Sequence, residues 1–139
     1  MALSDEQVKL VKANWNAVKP IKETAAGLFY DKLFELDPSI REMFNDDISI
    51  QKKALMATIS FAVATLNHPD KLIPAVQKLG SRHGRYGVTA AHYGTVAQAL
   101  LWTLEQGLGD AWTPEAKTAW TEVYGILSST MLEAAAKAA

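Results

Sequence analysis

The sequence predicts an all-α chain, on three observations. Apolar residues recur at three- and four-residue spacing in every long segment, from Val8, Val11 and Trp15 near the start to Trp120, Tyr124, Leu127 and Met131 near the end. Start and stop signals for helices fall between those segments. No segment alternates polar with apolar over a strand's length; "ISFAV" has strand-favouring residues, but it sits inside a longer run with helical phase.

Each element follows in order. "SDEQVKLVKANWNAV" opens on Ser4 with Gln7 three residues on, a capping box, and puts Val8, Val11, Trp15 and Val18 on one face. Pro20 suits the first turn of a second helix, "IKETAAGLFYDKLFEL". That helix stops before Asp37-Pro38, because a residue preceding proline avoids the α region. Pro38 opens a short helical segment, "PSIREMF", and "NDDIS" is an irregular link. The next helix is "IQKKALMATISFAVATL", ended by "NHPD". "KLIPAVQKLGSRH" is a shorter helix with Pro74 near its start, ending beside His83. "TAAHYGTVAQALLWTLEQGL" is long and amphipathic, with Val96, Leu100 and Leu104 in step. "GDAWTPEA" breaks it. Thr113, Pro114 and Glu115 then start the last helix with an N-cap, an N1 proline and an acid at the dipole's positive end. The expectation is about seven helices of unequal length, and the tail "EAAAKAA" continues or frays from the last.

At 139 residues the chain is one domain, 1–139, large enough for a core without staples. It has no cysteine, which excludes disulfides, thiolate metal sites and cysteine nucleophiles and fits a reducing compartment such as the cytoplasm. With 14 Lys plus Arg against 15 Asp plus Glu, no phosphate-neutralising face is evident, so nucleic acid is not an expected partner. The N-terminus does not read as a signal peptide, and no window reaches the ~18 apolar residues of a membrane span.

Enzyme motifs are sparse. "GSRHGRYG" lacks the preceding strand and the spacing of a phosphate loop, and none of His68, His83 and His92 belongs to a zinc-binding helical pair. His68 reads as flanking a helix stop. His92 points to a different face from Tyr93 and reads as solvated. His83 has more company. Tyr30 lies in an apolar stretch and needs a partner for its phenol, or water. Gln51 and Leu55 are four apart and share a face, which Ile59, Ala62 and Leu66 extend as an apolar stripe. Gln51 therefore points into a site or out to water, since an unpartnered buried amide is costly. Leu55 is core by default.

The order and spacing of five segments resemble the globin family, above all bacterial single-domain haemoglobins and the globin domain of flavohaemoglobins, over nearly the whole chain. "LFYDKLFELDPSIREMF" resembles the second and third helices. "QKKALM" resembles the distal helix, "LGSRHGRYGVTAAHYGTV" the proximal segment and "AWTEVYGIL" the last helix, with Trp120 and Tyr124. The resemblance implies a globin fold around a haem b pocket. It implies His83 as the iron ligand with Tyr93 behind it, and Phe44 stacked on the haem. Gln51 and Leu55 would lie over the haem, and Tyr30 and Gln51 would donate to the ligand. O2, NO and CO are the implied ligands. Arg82, Arg85 and Lys52 are candidates to pair with the propionates, or are plain solvated charges. Gly84 and Gly87 would let the chain turn away beside the porphyrin. The second nitrogen of His83 is expected to donate to a carbonyl one turn back, near Leu79.

Two departures matter. Where flavohaemoglobin domains resemble one another in a histidine–tyrosine–glutamate network, ungapped spacing from Trp120 and Tyr124 puts Lys137 in the glutamate's place, with Glu133 one turn earlier as a substitute. The chain also ends with the resemblance, so no attached flavin or nicotinamide reductase is expected. Three functions stay open: reversible, tight O2 binding; oxidation of NO to nitrate with a separate reductase; and a haem-free helical interaction module.

Overall fold

A computed structural model describes residues 3–85 and 87–138, without the side chains of Arg85 and Ala138. It contains six α-helices: α1 (Asp5–Val18), α2 (Lys22–Leu36), α3 (Ser49–Ala64), α4 (Pro69–Arg85), α5 (Ala90–Leu108) and α6 (Pro114–Ala138). Short 3-10 segments occupy Lys19–Ile21, Pro38–Met43 and Gly109–Ala111, and no strand occurs among the described residues. The expected seventh helix is thus a 3-10 turn. Pro20 lies in the 3-10 turn between α1 and α2, not in the first turn of α2.

The local signals act as physics requires. Ser4 Oγ accepts from Gln7 N and Gln7 Oε1 from Ser4 N, closing the capping box of α1. Thr113 Oγ1 accepts from Ala116 N at the head of α6, beside Pro114. Helix α4 is the main boundary difference. It runs 17 residues, one more than α3, and passes His83 to end at Arg85. Proline fits at its first position, Pro69, where the missing N–H costs nothing. Pro74 lies inside the helix, where one absent hydrogen bond does not break a helix packed so closely elsewhere.

Three apolar clusters organise the packing. The largest joins Val11, Trp15 and Val18 of α1 to Met56 and Val63 of α3, Leu104 of α5 and Trp120 and Val123 of α6. Val11 and Leu104 are essentially fully buried, each worth about 1.5–3 kcal/mol. The tryptophans meet at 6.3 Å, with their N–H groups satisfied: Trp15 donates to Ser60 Oγ (2.9 Å) and Trp120 to buried Asn14 Oδ1 (3.1 Å). The second cluster lies between α2 and α5, and the third joins Ala62 of α3 to α4, α5 and α6.

Helix α4 lies hard against α6. A Cβ on Gly80 would strike the Met131 backbone, and one on Gly84 would lie 2.8 Å from Ala135 Cβ. Gly84 is therefore a close-packing residue inside the helix, not the turn residue expected from sequence. The turn belongs to Gly87, whose φ of +82° lies in the left-handed region that favours glycine. By contrast the backbones of α3 and α4 approach each other little, and the two helices meet through side chains of the third cluster, Ala62 and, just past the end of α3, Leu66 on one side and Leu72 and Val76 on the other.

Candidate functional site

Helices α3 and α4 carry different chemistry. On the α2–α3 side, Tyr30 is buried in the second cluster with Phe29, Leu33 and Ile40, and Phe34, Phe44, Ile48 and Leu55 pack against it. The Tyr30 ring meets Phe29 edge-on at 5.0 Å and Phe44 edge-on at 5.7 Å. Tyr30 Oη donates to the Gln51 backbone carbonyl at 3.4 Å, a long bond. Burial pushes the phenol up to about 12, so it is a neutral donor at any physiological pH. Gln51 is half-buried, and its Oε1 is buried with no protein partner. Tyr30, Phe44 and Leu55 are thus brought together in one cluster, to which Gln51 is tied through its backbone carbonyl.

On the α4 side, His83 Nδ1 donates to the Leu79 carbonyl at 2.9 Å, the acceptor expected one turn back. In the neutral ring, a proton on Nδ1 puts the lone pair on Nε2. Leu79 packs in the third cluster with Tyr93, Val88, Leu72 and Val76. Tyr93 is buried and its hydroxyl also lacks a protein partner. Tyr124 Oη donates to the Tyr93 backbone carbonyl at 2.7 Å, tying the first turn of α5 to α6. Burial raises both phenols, and the neighbouring Tyr93 adds to the rise at Tyr124.

Other expectations resolve individually. Glu133 is exposed and makes no contact with the Tyr93 hydroxyl, so it does not close a tyrosine–glutamate link. Arg82 is exposed on α4 and Lys52 half-buried on α3. The Arg85 side chain lies outside the described residues. His68 is exposed at the head of α4, where its carbonyl accepts from Lys71 and Leu72 N–H. His92 is not simply solvated: its Nδ1 accepts from Thr89 N at 2.9 Å and caps α5. Sequence reasoning missed Arg41, whose guanidinium reaches the carbonyls of Phe44, Asn45 and Asp46. The available signal was a fork-shaped donor just before a polar link whose carbonyls have no helix to serve them.

The family model described as Globin matches residues 27–131, which contain Tyr30, Phe44, Gln51, Leu55, His83 and Tyr93. The chain belongs to the globin family. It is 29% identical to a flavohemoprotein of Bacillus subtilis over 133 residues, 94% of this chain and 33% of the relative. It is 33% identical to a flavohemoprotein of Rhodopirellula baltica, over 91% of this chain and 32% of the relative. The globin chain therefore spans about a third of the length of these flavohemoproteins. An anaerobic nitrite reductase of Oryza sativa subsp. indica, NSHB5, is 29% identical over the full length of both chains. Among solved structures, the engineered carbene transferase RmaNOD from Rhodothermus marinus is 26% identical, with a TM-score of 0.88 over 98% of this chain and 95% of that one. A bacterial globin from Campylobacter jejuni is 25% identical, with a TM-score of 0.85 over 96% and 97%.

The family implies haem, and this globin's residues fit one. Among the described residues no group of three or more His, Asp or Glu is placed to hold a metal ion. The imidazole is oriented by Leu79, and Gln51 Oε1 lacks a protein partner. No described helix is long and apolar enough to cross a membrane.

Proposed function

We propose that this globin holds haem b between α3 and α4 and binds diatomic gases reversibly, O2 with high affinity, in the cytoplasm. His83 is the proximal ligand, Tyr30 and Gln51 are the donors on the opposite side, and Phe44 and Leu55 keep water out. Arg82 and Lys52, next in sequence to His83 and Gln51, are the described cations for the propionates, and Tyr93 stands behind His83. The observation that carries the reading is the His83–Leu79 hydrogen bond, which commits Nδ1 and leaves the lone pair on Nε2.

Haem supplies a ferrous iron that binds gases. The chain supplies the selectivity. Tyr30 is held by a long hydrogen bond only, so its O–H turns toward a partly negative ligand at small cost. The Gln51 amide, rotated end for end, presents N–H to the same ligand. Each donor is worth on the order of 1–3 kcal/mol against a partly charged acceptor. Two together make release slow, since about 1.4 kcal/mol is tenfold in rate. Glutamine is a poor iron ligand, which leaves the distal side open to gas.

The likeness to flavohemoproteins supports a second reading, an enzyme that combines NO and O2 to nitrate. That conversion consumes one electron per turnover, which a reductase must supply.

Spectra of the hemin-loaded protein in the ferric, ferrous and CO-bound states test the first reading. His83→Ala should lose the five-coordinate ferrous spectrum; stoichiometric haem with that spectrum intact contradicts the ligand assignment. Tyr30→Phe should speed O2 release most. A larger effect of Gln51→Leu reverses the ranking of the donors, and unchanged release in both removes the account of affinity. Rapid mixing of the oxygenated form with NO, then turnover with added reductase, separates the enzyme from the carrier. A protein that stays colourless with hemin leaves the helical interaction module.

A further inference from the structure

The 3-10 turn Pro38–Met43 ends at Phe44, and beyond it Asn45, Asp46 and Asp47 are exposed. Such a link would ordinarily leave its carbonyls to water. Here one side chain takes three of them. Arg41 Nη1 donates to the carbonyls of Asn45 (2.7 Å) and Phe44 (3.4 Å), and Nη2 donates to that of Asp46 (2.9 Å). Phe44 N also donates to the Arg41 carbonyl at 3.2 Å, so the backbone of Phe44 is tied to Arg41 on both sides. The guanidinium lies 5.2 Å over the Phe34 ring, Phe34 meets Phe44 edge-on at 5.7 Å, and Phe44 meets Tyr30 at 5.7 Å. Charge, ring and ring are stacked in series up to the phenol.

We propose that Arg41 is a positioning residue of the gas site: it clips the turn 44–46 so that Phe44 stays against Tyr30. Only a planar fork with separated nitrogens reaches three carbonyls at once, and ionised donors make the stronger bonds. A lysine would keep the charge but reach fewer acceptors. With the clip released, Phe44 swings with its turn, the edge contact on Tyr30 loosens, and the phenol samples more orientations. The consequence for ligands rests on the haem reading above, whereas the clip is a property of the chain without cofactor.

Arg41→Met keeps the aliphatic stem over Phe34 and removes the fork. In the cofactor-free protein, hydrogen exchange at the Phe44 amide, which donates to the Arg41 carbonyl, should quicken about tenfold, the equivalent of about 1.4 kcal/mol of local opening. In the hemin-loaded protein the C–O stretching band of the ferrous CO form should broaden or split, and O2 release should quicken several-fold. Arg41→Lys should fall between wild type and Arg41→Met in all three readouts. A merely structural clip would lower the thermal midpoint and leave the C–O band and O2 release unchanged; that result overturns the proposal. Unchanged amide exchange in Arg41→Met overturns it as well. If wild-type protein takes up no hemin, the haem reading falls by itself, and with it the role of Arg41 at a gas site. Amide exchange then still decides the clip. If Arg41→Met does not fold, wild-type behaviour of Arg41→Lys in amide exchange, C–O band and O2 release overturns the fork argument.

Discussion

The same substitution, glycine to alanine, should have opposite signs at two helical positions of this globin. Alanine is favoured over glycine in a helix interior by about 0.8–1 kcal/mol. At Gly125 a new Cβ meets nothing within 4 Å, so Gly125→Ala should stabilise by up to about 1 kcal/mol. At Gly80 the new Cβ would land on the Cα, C and O atoms of Met131. Main chain cannot rotate away as a side-chain tip can. Overpacking costs about 1–3 kcal/mol, and a backbone obstacle belongs at the top of that range. After the propensity gain, Gly80→Ala should lose about 1–2 kcal/mol. Gly84→Ala should lie between the two, because its obstacle is the Ala135 methyl at 2.8 Å. Thermal or urea unfolding of the cofactor-free chain, followed by circular dichroism, reads all three. One kcal/mol corresponds to roughly 3–5 °C in a chain of this size. A Gly80→Ala protein as stable as wild type would mean that α4 and α6 do not lie as close as described, and the register holding His83 would fall with it.

Further outcomes follow from single contacts. Tyr30 is neutral in the folded state up to about 12 while an unfolded phenol ionises near 10, so its contribution is complete below about pH 10 and is lost as pH rises toward 12. Tyr30→Phe should therefore move the alkaline unfolding midpoint upward, and an unmoved midpoint would place the phenol in water. His92→Ala removes the acceptor of Thr89 N and should cost about 0.5–1.5 kcal/mol in urea unfolding, with His92→Gln recovering most of it. Asn14→Ala strands the Trp120 N–H in the core and should cost about 1–3 kcal/mol, while leaving O2 release from the hemin-loaded protein unchanged.

What the sequence made legible and what it hid divide by range. The capping box of Ser4 and Gln7, the Thr113–Pro114 start and the stop before Pro38 act within four residues, and all stand where the residues predict. The Leu79 acceptor of His83 is of the same kind, being one helical turn away. The hidden features need a partner that local spacing does not name. Gly84 reads as a turn glycine until α6, some fifty residues on, lies across it. Pro74 reads as a start signal until the same packing holds the helix through it. Arg41 and His92 act locally, yet their acceptor and donor are backbone groups that become available only once the neighbouring turns form.

Glu133 is the instructive case because there the period already held the answer. Met131 is buried and Tyr124 and Leu127 pack into the third cluster, which fixes the inward face of α6. At about 100° per residue, Glu133 lies about 200° round the helix from Met131, and Lys137 about 240°. Both positions therefore leave the face of Met131, and both are exposed, beside Gln77 and Ser81 at the rim of the seam with α4. A substitute acid one turn earlier keeps the axial height of a missing partner, but to reach Tyr93 it must also share the face of Met131. Glu133 does not, and the Tyr93 hydroxyl is left buried without a protein partner.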